Sequence, residues 1–472
     1  MEKDNNYIAA IDMGTSNTVI LIGRRAEGGK IDIVASSVVD NERDSMWRGD
    51  IRNIDKIVLS VQRALREIEK EYSLKVQEAY LNLSGKHIKC DYKSGYVSIS
   101  NSEGEVRRED VDRLSNDMRN ISVPAGEVIV HIRPRIYKLD DDNISSEPIG
   151  MIGKRLSGEF NIITAEKSKI DLIYRCLNRV DVRVADVVLS SLASAEAVLV
   201  DDQKELGVVV LDFGGGTCDV CIYHDKAIRF LGVIPFGGVD INSDIRSCGV
   251  LERLVERLKV KFGCALSSEI PETQYIRLPS INNTPSNEIS QKQLASIIEA
   301  RLEDISDQLL NIIKSSGYEG RLAGGIVLTG GGANLNMIKE FFAQRTGMPV
   351  RIATPDLYVS SETVDKVASP LYSTAVGLLL IAASMGRTTA TLVLPKPKPL
   401  DTVYDPYGGG DGDDLFRRGQ DTGFDEEPGD YDDMHRGGGA SHNGGFGGWF
   451  KRTIGKVRDT IDPEESLEDN DL

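Results

Sequence analysis

The sequence predicts an α/β protein made of two related lobes around a ligand cleft. Three observations carry that prediction. Between residues 6 and 394, short β-rich runs alternate with helical patterns, the layout of an α/β chain. A unit of apolar strand, Asp and glycine turn occurs twice, near residue 12 and again near residue 212. A third glycine turn, Gly330-Gly331-Gly332, follows another apolar strand. Repetition at domain scale places two similar units face to face, with a ligand in the crevice between them.

The first unit reads Ile8-Ala9-Ala10-Ile11-Asp12-Met13-Gly14-Thr15-Ser16-Asn17-Thr18-Val19. The second reads Val208-Val209-Val210-Leu211-Asp212-Phe213-Gly214-Gly215-Gly216-Thr217-Cys218-Asp219-Val220. Glycine lets the backbone turn tightly and approach a ligand closely. The N–H groups of these turns, with the hydroxyls of Thr15, Ser16 and Thr217, suit an anion-binding concavity. Asp12 and Asp212 stand just before the turns, where a carboxylate can hold Mg²⁺ through water beside phosphates. One Asp-Gly hairpin turn is common in any β-rich protein. Two matched copies and a third turn favour a nucleotide instead. That third element, Gly325-Ile326-Val327-Leu328-Thr329-Gly330-Gly331-Gly332-Ala333-Asn334-Leu335, reads as strand, glycine turn and then a helix from about Asn334 to Thr346. Its glycines allow a flat adenosine to lie against the backbone. Neither a P-loop nor a strand-borne Gly-x-Gly-x-x-Gly is present.

In order and spacing, the three elements resemble the phosphate-1, phosphate-2 and adenosine motifs of the actin, sugar-kinase and DnaK-chaperone superfamily. That resemblance implies ATP and Mg²⁺ as cofactors. It implies a site built from Asp12, Gly14, Thr15, Ser16 and Asn17, from Asp212, Gly214, Gly215, Gly216, Thr217 and Asp219, and from Gly330, Gly331, Gly332, Ala333 and Asn334. Glu256 and Lys259 resemble the superfamily's Glu-x-x-Lys contact to the nucleoside. On residues alone, the same pair reads equally as ordinary charges on an exposed helix face.

The inserted domain separates branches of this superfamily. Here Leu81-Asn82-Leu83-Ser84-Gly85-Lys86-His87-Ile88 leads into two β-rich runs, a helical pattern with Glu109-Asp110-Val111, and Val128-Ile129-Val130-His131-Ile132-Arg133-Pro134. This resembles subdomain 1C of the FtsA family, as do Lys261-Phe262-Gly263-Cys264-Ala265 and Tyr372-Ser373-Thr374-Ala375-Val376-Gly377-Leu378. The expected division is the first part of lobe I over 6–80, the insertion over 81–165, and the rest of the core with lobe II over 166–394. Residues 240–325 form the nucleotide-side subdomain. One departure stands out: Ser190-Ser191 occupies the place of a Glu-Pro found in many superfamily members. Without that Glu to place the metal shell or attacking water, hydrolysis is expected to be slow or absent.

After Pro395-Lys396-Pro397-Lys398-Pro399, residues 400–445 are rich in Gly and Asp and lack apolar periodicity. Such a segment buries too little to offset its ordering entropy, so 395–445 reads as a flexible acidic linker. An amphipathic helix is expected over 446–462, then an acidic tail over 463–472. Phe446, Trp449, Phe450, Ile454, Val457 and Ile461 follow i, i+3, i+4 spacing, while Lys451, Arg452, Lys456 and Arg458 supply a basic side. That pattern suits a helix lying in a membrane interface. Its apolar side chains offer on the order of 10 kcal/mol gross, and each basic residue about 1 kcal/mol near anionic lipid. Ordering some fifteen residues costs about 1 kcal/mol apiece, so one helix binds reversibly and an array binds firmly. Docking of the stripe on the protein's own body or on a partner is the rival reading.

The remaining features narrow the field. A formal net charge of −17 disfavours nucleic acid. The N-terminus carries no signal-peptide pattern, and the longest apolar stretch, 375–383, falls short of the ~20 residues of a spanning helix. The six cysteines are scattered, and the five histidines show no ligand spacing. Cys218 and Cys221 form the one Cys-x-x-Cys, in a strand where residues three apart face opposite sides.

The resemblance thus implies an ATP-binding, actin-like cell-division protein that polymerises on the cytoplasmic side of the cell membrane. There, as a peripheral protein at the septum, it would tether FtsZ filaments through the FtsZ C-terminal tail. Anionic lipid would bind the C-terminal helix, and other divisome proteins subdomain 1C. A PilM-like adaptor or a small-molecule kinase is the alternative, although no general base suggests itself for a kinase. A chaperone would carry a folded substrate-binding domain where this chain carries a linker.

Overall fold

The two strand–Asp–turn units seed two sheets of one design. The computed structural model describes residues 7–140, 142–144, 147–278, 288–386 and 389–392. In lobe I, Tyr7–Met13 pairs antiparallel with Asn17–Arg25, which pairs antiparallel with Ile31–Asp40. On its other side Tyr7–Met13 runs parallel to Glu78–Leu83, and that strand to Arg183–Leu189. In lobe II, Val208–Phe213 pairs antiparallel with Cys218–His224, which continues to Ala227–Ile234. On its other side it runs parallel to Ile326–Thr329, and that strand to Val350–Ile352. The lead strands are near-continuous apolar runs because both of their faces are covered.

Cys218 and Cys221 show the alternation of a strand directly. Both are fully buried, yet Cys221 joins the lobe I core and Cys218 the lobe II core, on opposite faces of one sheet. They are free thiols.

Local chemistry sets the helix bounds. The Asn53 side chain accepts from the N–H groups of Asp55 and Lys56, capping Ile54–Tyr72, and Ser73 ends it in the left-handed region at φ 54°. Ile57, Val61, Ala64 and Ile68 form its buried stripe. Ser190–Val198 and the first half of Ser373–Met385 are different: nearly every residue of Ser190–Val198 and every residue from Ser373 to Leu379 is buried, as expected of helical segments enclosed by protein. Ser190–Val198 packs on the lobe II strands Val208–Phe213 and Cys218–His224, and Ser373–Met385 on the lobe I strands Tyr7–Met13 and Asn17–Arg25. The two cross so closely that a Cβ on Gly377 would run into the Ala193 carbonyl.

The insertion between Glu78–Leu83 and the Lys167–Asn178 helix has its own antiparallel sheet. Its strand order is Asp142–Ile144, Glu127–Leu139, Arg155–Glu166, Lys89–Ser98. The Arg108–Arg119 helix covers one face around Val97, Leu114, Leu156 and Phe160. Although inserted in lobe I, this subdomain is tied to lobe II. Arg229, on Ala227–Ile234, donates to the Arg135 carbonyl at 2.5 Å, and Asn161 donates to the Ile228 carbonyl at 2.8 Å. In lobe II, the helices Gly238–Ser247, Glu252–Phe262 and Gln291–Ser315 share one core with the sheet.

The helix expected from Asn334 begins later. Gly331–Asn334 is a short 3₁₀ turn, Met337 adopts a left-handed φ of 62°, and the α-helix spans Ile338–Thr346. The linker expected over 395–445, the amphipathic helix over 446–462 and the acidic tail over 463–472 lie outside the described residues. Among the described residues, no helix is long and apolar enough to cross a membrane. The apolar stretch 375–383 is the buried Ser373–Met385 helix.

Candidate functional site

The two Asp–glycine turns close in the same way. Gly14 N–H donates to the Asn17 carbonyl at 2.9 Å, and Gly214 N–H to the Thr217 carbonyl at 2.9 Å. The turns meet across the cleft. A Cβ on Gly215 would strike the Ser16 hydroxyl, and one on Gly216 the Thr15 hydroxyl. Glycine is required here by the opposite lobe as much as by any ligand.

The third turn supports the second. A Cβ on Gly330, at φ 81°, would run into the Asp212 carboxylate and the Phe213 carbonyl, and one on Gly332 into the Phe213 ring. Gly331 has room, its nearest neighbour being Leu371 at 3.5 Å. Two of the three glycines therefore serve packing, and Gly331 is the open one.

These turns line one cavity of about 330 Å³. Of the residues singled out from sequence, Asp12, Gly14, Thr15, Ser16, Asn17, Asp212, Gly214, Gly215, Gly216, Thr217, Asp219, Glu256, Lys259, Gly330, Gly331, Gly332 and Asn334 all line it. Ala333 does not. Its methyl is fully buried in the lobe II core, because the 3₁₀ turn rotates it away from the cleft. Glu256 and Lys259, ambiguous in sequence, pair at 2.9 Å on the cavity wall. Lys259 Nζ also donates to the Gly238 carbonyl at 3.1 Å, and Asn242 Nδ2 to Glu256 at 2.5 Å.

Three carboxylates converge at the floor. Burial, then Asp212, then Asp219 push Asp12 up to about 8. Burial and then Asp212 push Asp219 up to about 7, against hydroxyl donors on Ser84 and Thr217. Burial also raises Asp212, opposed by the hydroxyls of Ser194 and Thr374. Such a cluster of buried oxygen donors suits a hard divalent cation, whose charge would offset their mutual repulsion. Among the described residues no three His, Cys, Asp or Glu side chains are placed to ligate an ion together.

Several lining residues went unread in the sequence. Ser84, Asn82, Gly238, Leu371 and Thr374 come from three separate stretches of chain. Only the spacing of Ser84 after the Glu78–Leu83 strand offered a signal, since strand ends in α/β folds carry sites. Ser190, in the place of the superfamily Glu, also lines the cavity. Its hydroxyl accepts from Asn82 Nδ2 at 3.3 Å and lies 3.4 Å from the Leu83 carbonyl.

Comparisons with known proteins agree with this architecture. The family described as cell division protein FtsA matches residues 209–377, and the SHS2 domain inserted in FtsA matches residues 85–164. The cell division protein FtsA of Pseudomonas aeruginosa is 32% identical over 379 residues, 80% of this chain and 89% of the relative. That of Neisseria meningitidis serogroup B is 33% identical over 412 residues, 87% of this chain and 97% of the relative. The Escherichia coli K12 protein is 31% identical over 384 residues, covering 80% and 90%. Among solved structures, a PilM–PilN type IV pilus biogenesis complex matches with a TM-score of 0.57 at 14% identity, covering 82% of this chain and 99% of that one. This last likeness concerns the fold alone, which is the two-lobed actin-like ATPase fold. With a matching body, a matching insertion and relatives over 30% identical along most of their length, this chain belongs to the FtsA family of cell-division proteins.

Proposed function

We propose that the chain binds ATP with Mg²⁺ in the cleft and, so loaded, assembles side by side on the cytoplasmic face of the cell membrane at the septum. There it tethers FtsZ filaments. The carrying observation is the convergence of three glycine turns from both lobes on one cavity, with three carboxylates at its floor. The backbone N–H groups of 15–17 and 215–217 would receive the phosphates, Asp12 and Asp212 would hold Mg²⁺ through water, and Glu256 and Lys259 would face the nucleoside. The ion would neutralise charge on the phosphates. Ser190 supplies no carboxylate to orient an attacking water, which supports slow or absent hydrolysis.

Residues 446–461 would anchor the chain to anionic lipid reversibly, and assembly would multiply the anchors. The FtsZ C-terminal tail would dock on the lobe II region around 240–325, and other division proteins on the inserted subdomain. The test is liposome flotation of the full chain and of a chain ending at His442, each with and without Mg²⁺-ATP. Tail-dependent binding that sharpens with ATP supports the reading. Equal flotation of the two chains removes the anchor.

A further inference from the structure

The short hairpin Met46–Trp47/Asp50–Ile51 pairs Met46 with Ile51 and Trp47 with Asp50, leaving Arg48 and Gly49 as a two-residue turn. Both have positive φ, 49° and 80°. Such turns favour Asn, Asp or Gly at the first position, because a side chain there crowds the backbone. Arg48 is therefore a conformationally unfavourable choice. A residue kept in such a conformation points to work done by its side chain.

The side chain crosses the cleft. Its guanidinium reaches Asp240 of lobe II at 3.0 Å and stacks 4.8 Å from the Phe236 ring of lobe II and 5.3 Å from Trp47. The pair is sheltered: the Asp240 side chain is 9% exposed and that of Arg48 29%. Arg48 Nε is buried without a hydrogen-bond partner. Asp240 is also no free surface group. It accepts from Gly237 N–H at 2.9 Å, fixing the start of the Gly238–Ser247 helix. The first residues of that helix grip the second phosphate turn: Gly238 N–H donates to the Gly214 carbonyl at 3.1 Å, and Val239 N–H to the Gly215 carbonyl at 2.7 Å. On the near side, Gly49 N–H donates to the Thr15 hydroxyl at 3.3 Å. Arg301, the other cation over Phe236, is engaged by Asp244 at 2.8 Å. The hairpin thus rests on one phosphate turn and is hooked by Arg48 to the element that carries the other.

We infer that Arg48 and Asp240 form an interlobe clasp that controls how fast nucleotide leaves the cleft. The inference rests on the nucleotide-binding reading above. A ligand held between the 14–17 and 214–217 turns leaves only when they separate. That separation parts the hairpin from the Gly238–Ser247 helix and breaks the clasp. Arg48 touches no reacting atom in this scheme and acts as a positioning residue.

The test is stopped-flow release of a fluorescent ADP from the full-length chain. R48A and D240N should each speed release roughly 10-fold, the scale set by losing a sheltered charge-assisted hydrogen bond. The double variant should release no faster than either single one, because both remove the same pair. R48N is the control for folding. Asn is at home in this turn, which offsets part of the lost pair, so R48N should melt above R48A while release quickens as much. A merely structural Arg48 would shift melting and leave release unchanged. Release from R48A and R48N within twofold of wild type overturns the clasp, as does full additivity in the double variant. Failure of the wild-type chain to bind the probe would overturn the nucleotide reading, and the clasp with it.

Discussion

The Ser84 hydroxyl lies 2.8 Å from both carboxylate oxygens of Asp219 and 2.9 Å from the Thr217 hydroxyl. Ser84 follows the last lobe I strand before the insertion, and Asp219 is the second residue of the strand after the lobe II glycine turn. One side chain therefore joins the root of the inserted subdomain to the opposite lobe.

Ser84→Ala should remove the donor that holds Asp219 down, leaving that carboxyl more strongly protonated. Nucleotide affinity is expected to fall roughly 5- to 30-fold, the equivalent of about 1–2 kcal/mol for a buried hydrogen bond to a charged group. Titration with fluorescent ATP at pH 7 checks this; an unchanged Kd would mean the contact is structural only.

Stability of the chain without divalent ions should decline as pH rises. Asp12 at about 8 and Asp219 at about 7 sit above the ordinary carboxylate value of 3.8, so the folded state binds more protons than the unfolded one across that interval. Unfolding free energy then falls with pH between about 4 and about 8, the penalty being absent below the lower limit and complete above the upper. Thermal melts across this range should show it. Asp12→Asn should flatten the decline and raise the melting temperature at pH 8.

Gly377→Ala and Gly331→Ala should separate folding from binding. At Gly377 the new methyl meets the Ala193 backbone, where two buried helices cannot yield, and overpacking there costs roughly 1–3 kcal/mol or more. A lower midpoint in urea is expected. At Gly331 the nearest atom is 3.5 Å away, so stability should hold while ATP affinity drops. A Gly331→Ala chain that binds ATP normally would place the nucleoside elsewhere.

Asn53→Ala should destabilise the fold by about 1 kcal/mol through the lost helix cap, with no effect on nucleotide affinity. It calibrates the other variants, since a loss of binding here would mean that binding follows global stability.

Much of the core was legible in the residues. The paired strand–Asp–turn units are local signals, each carried by adjacent residues, and they led to two sheets of the same order and to the aspartates and glycines on the cavity wall. The helix was expected from about Asn334 but begins at Ile338, because the helical pattern of 338–346 says nothing about where the backbone first becomes helical. The burial of the Ala333 methyl in the lobe II core was equally hidden, since one turn of 3₁₀ geometry decides which way it points.

Sequence by itself determined the lobes and the turns, because they rest on contiguous patterns of hydrophobicity and glycine, while the insertion and the family were legible through the resemblance of short motifs. Tertiary structure alone decided the rest. Gly215 and Gly216 are required by Ser16 and Thr15 some two hundred residues away, and Ser84 meets Asp219, and Arg48 meets Asp240, only once the lobes close. The shifted acidity of Asp12 and Asp219 depends likewise on burial and on charges brought together by folding. Such contacts have no periodicity along the chain. They exist because two independently patterned sheets pack about the helices Ser190–Val198 and Ser373–Met385, which cross where Gly377 leaves room for Ala193.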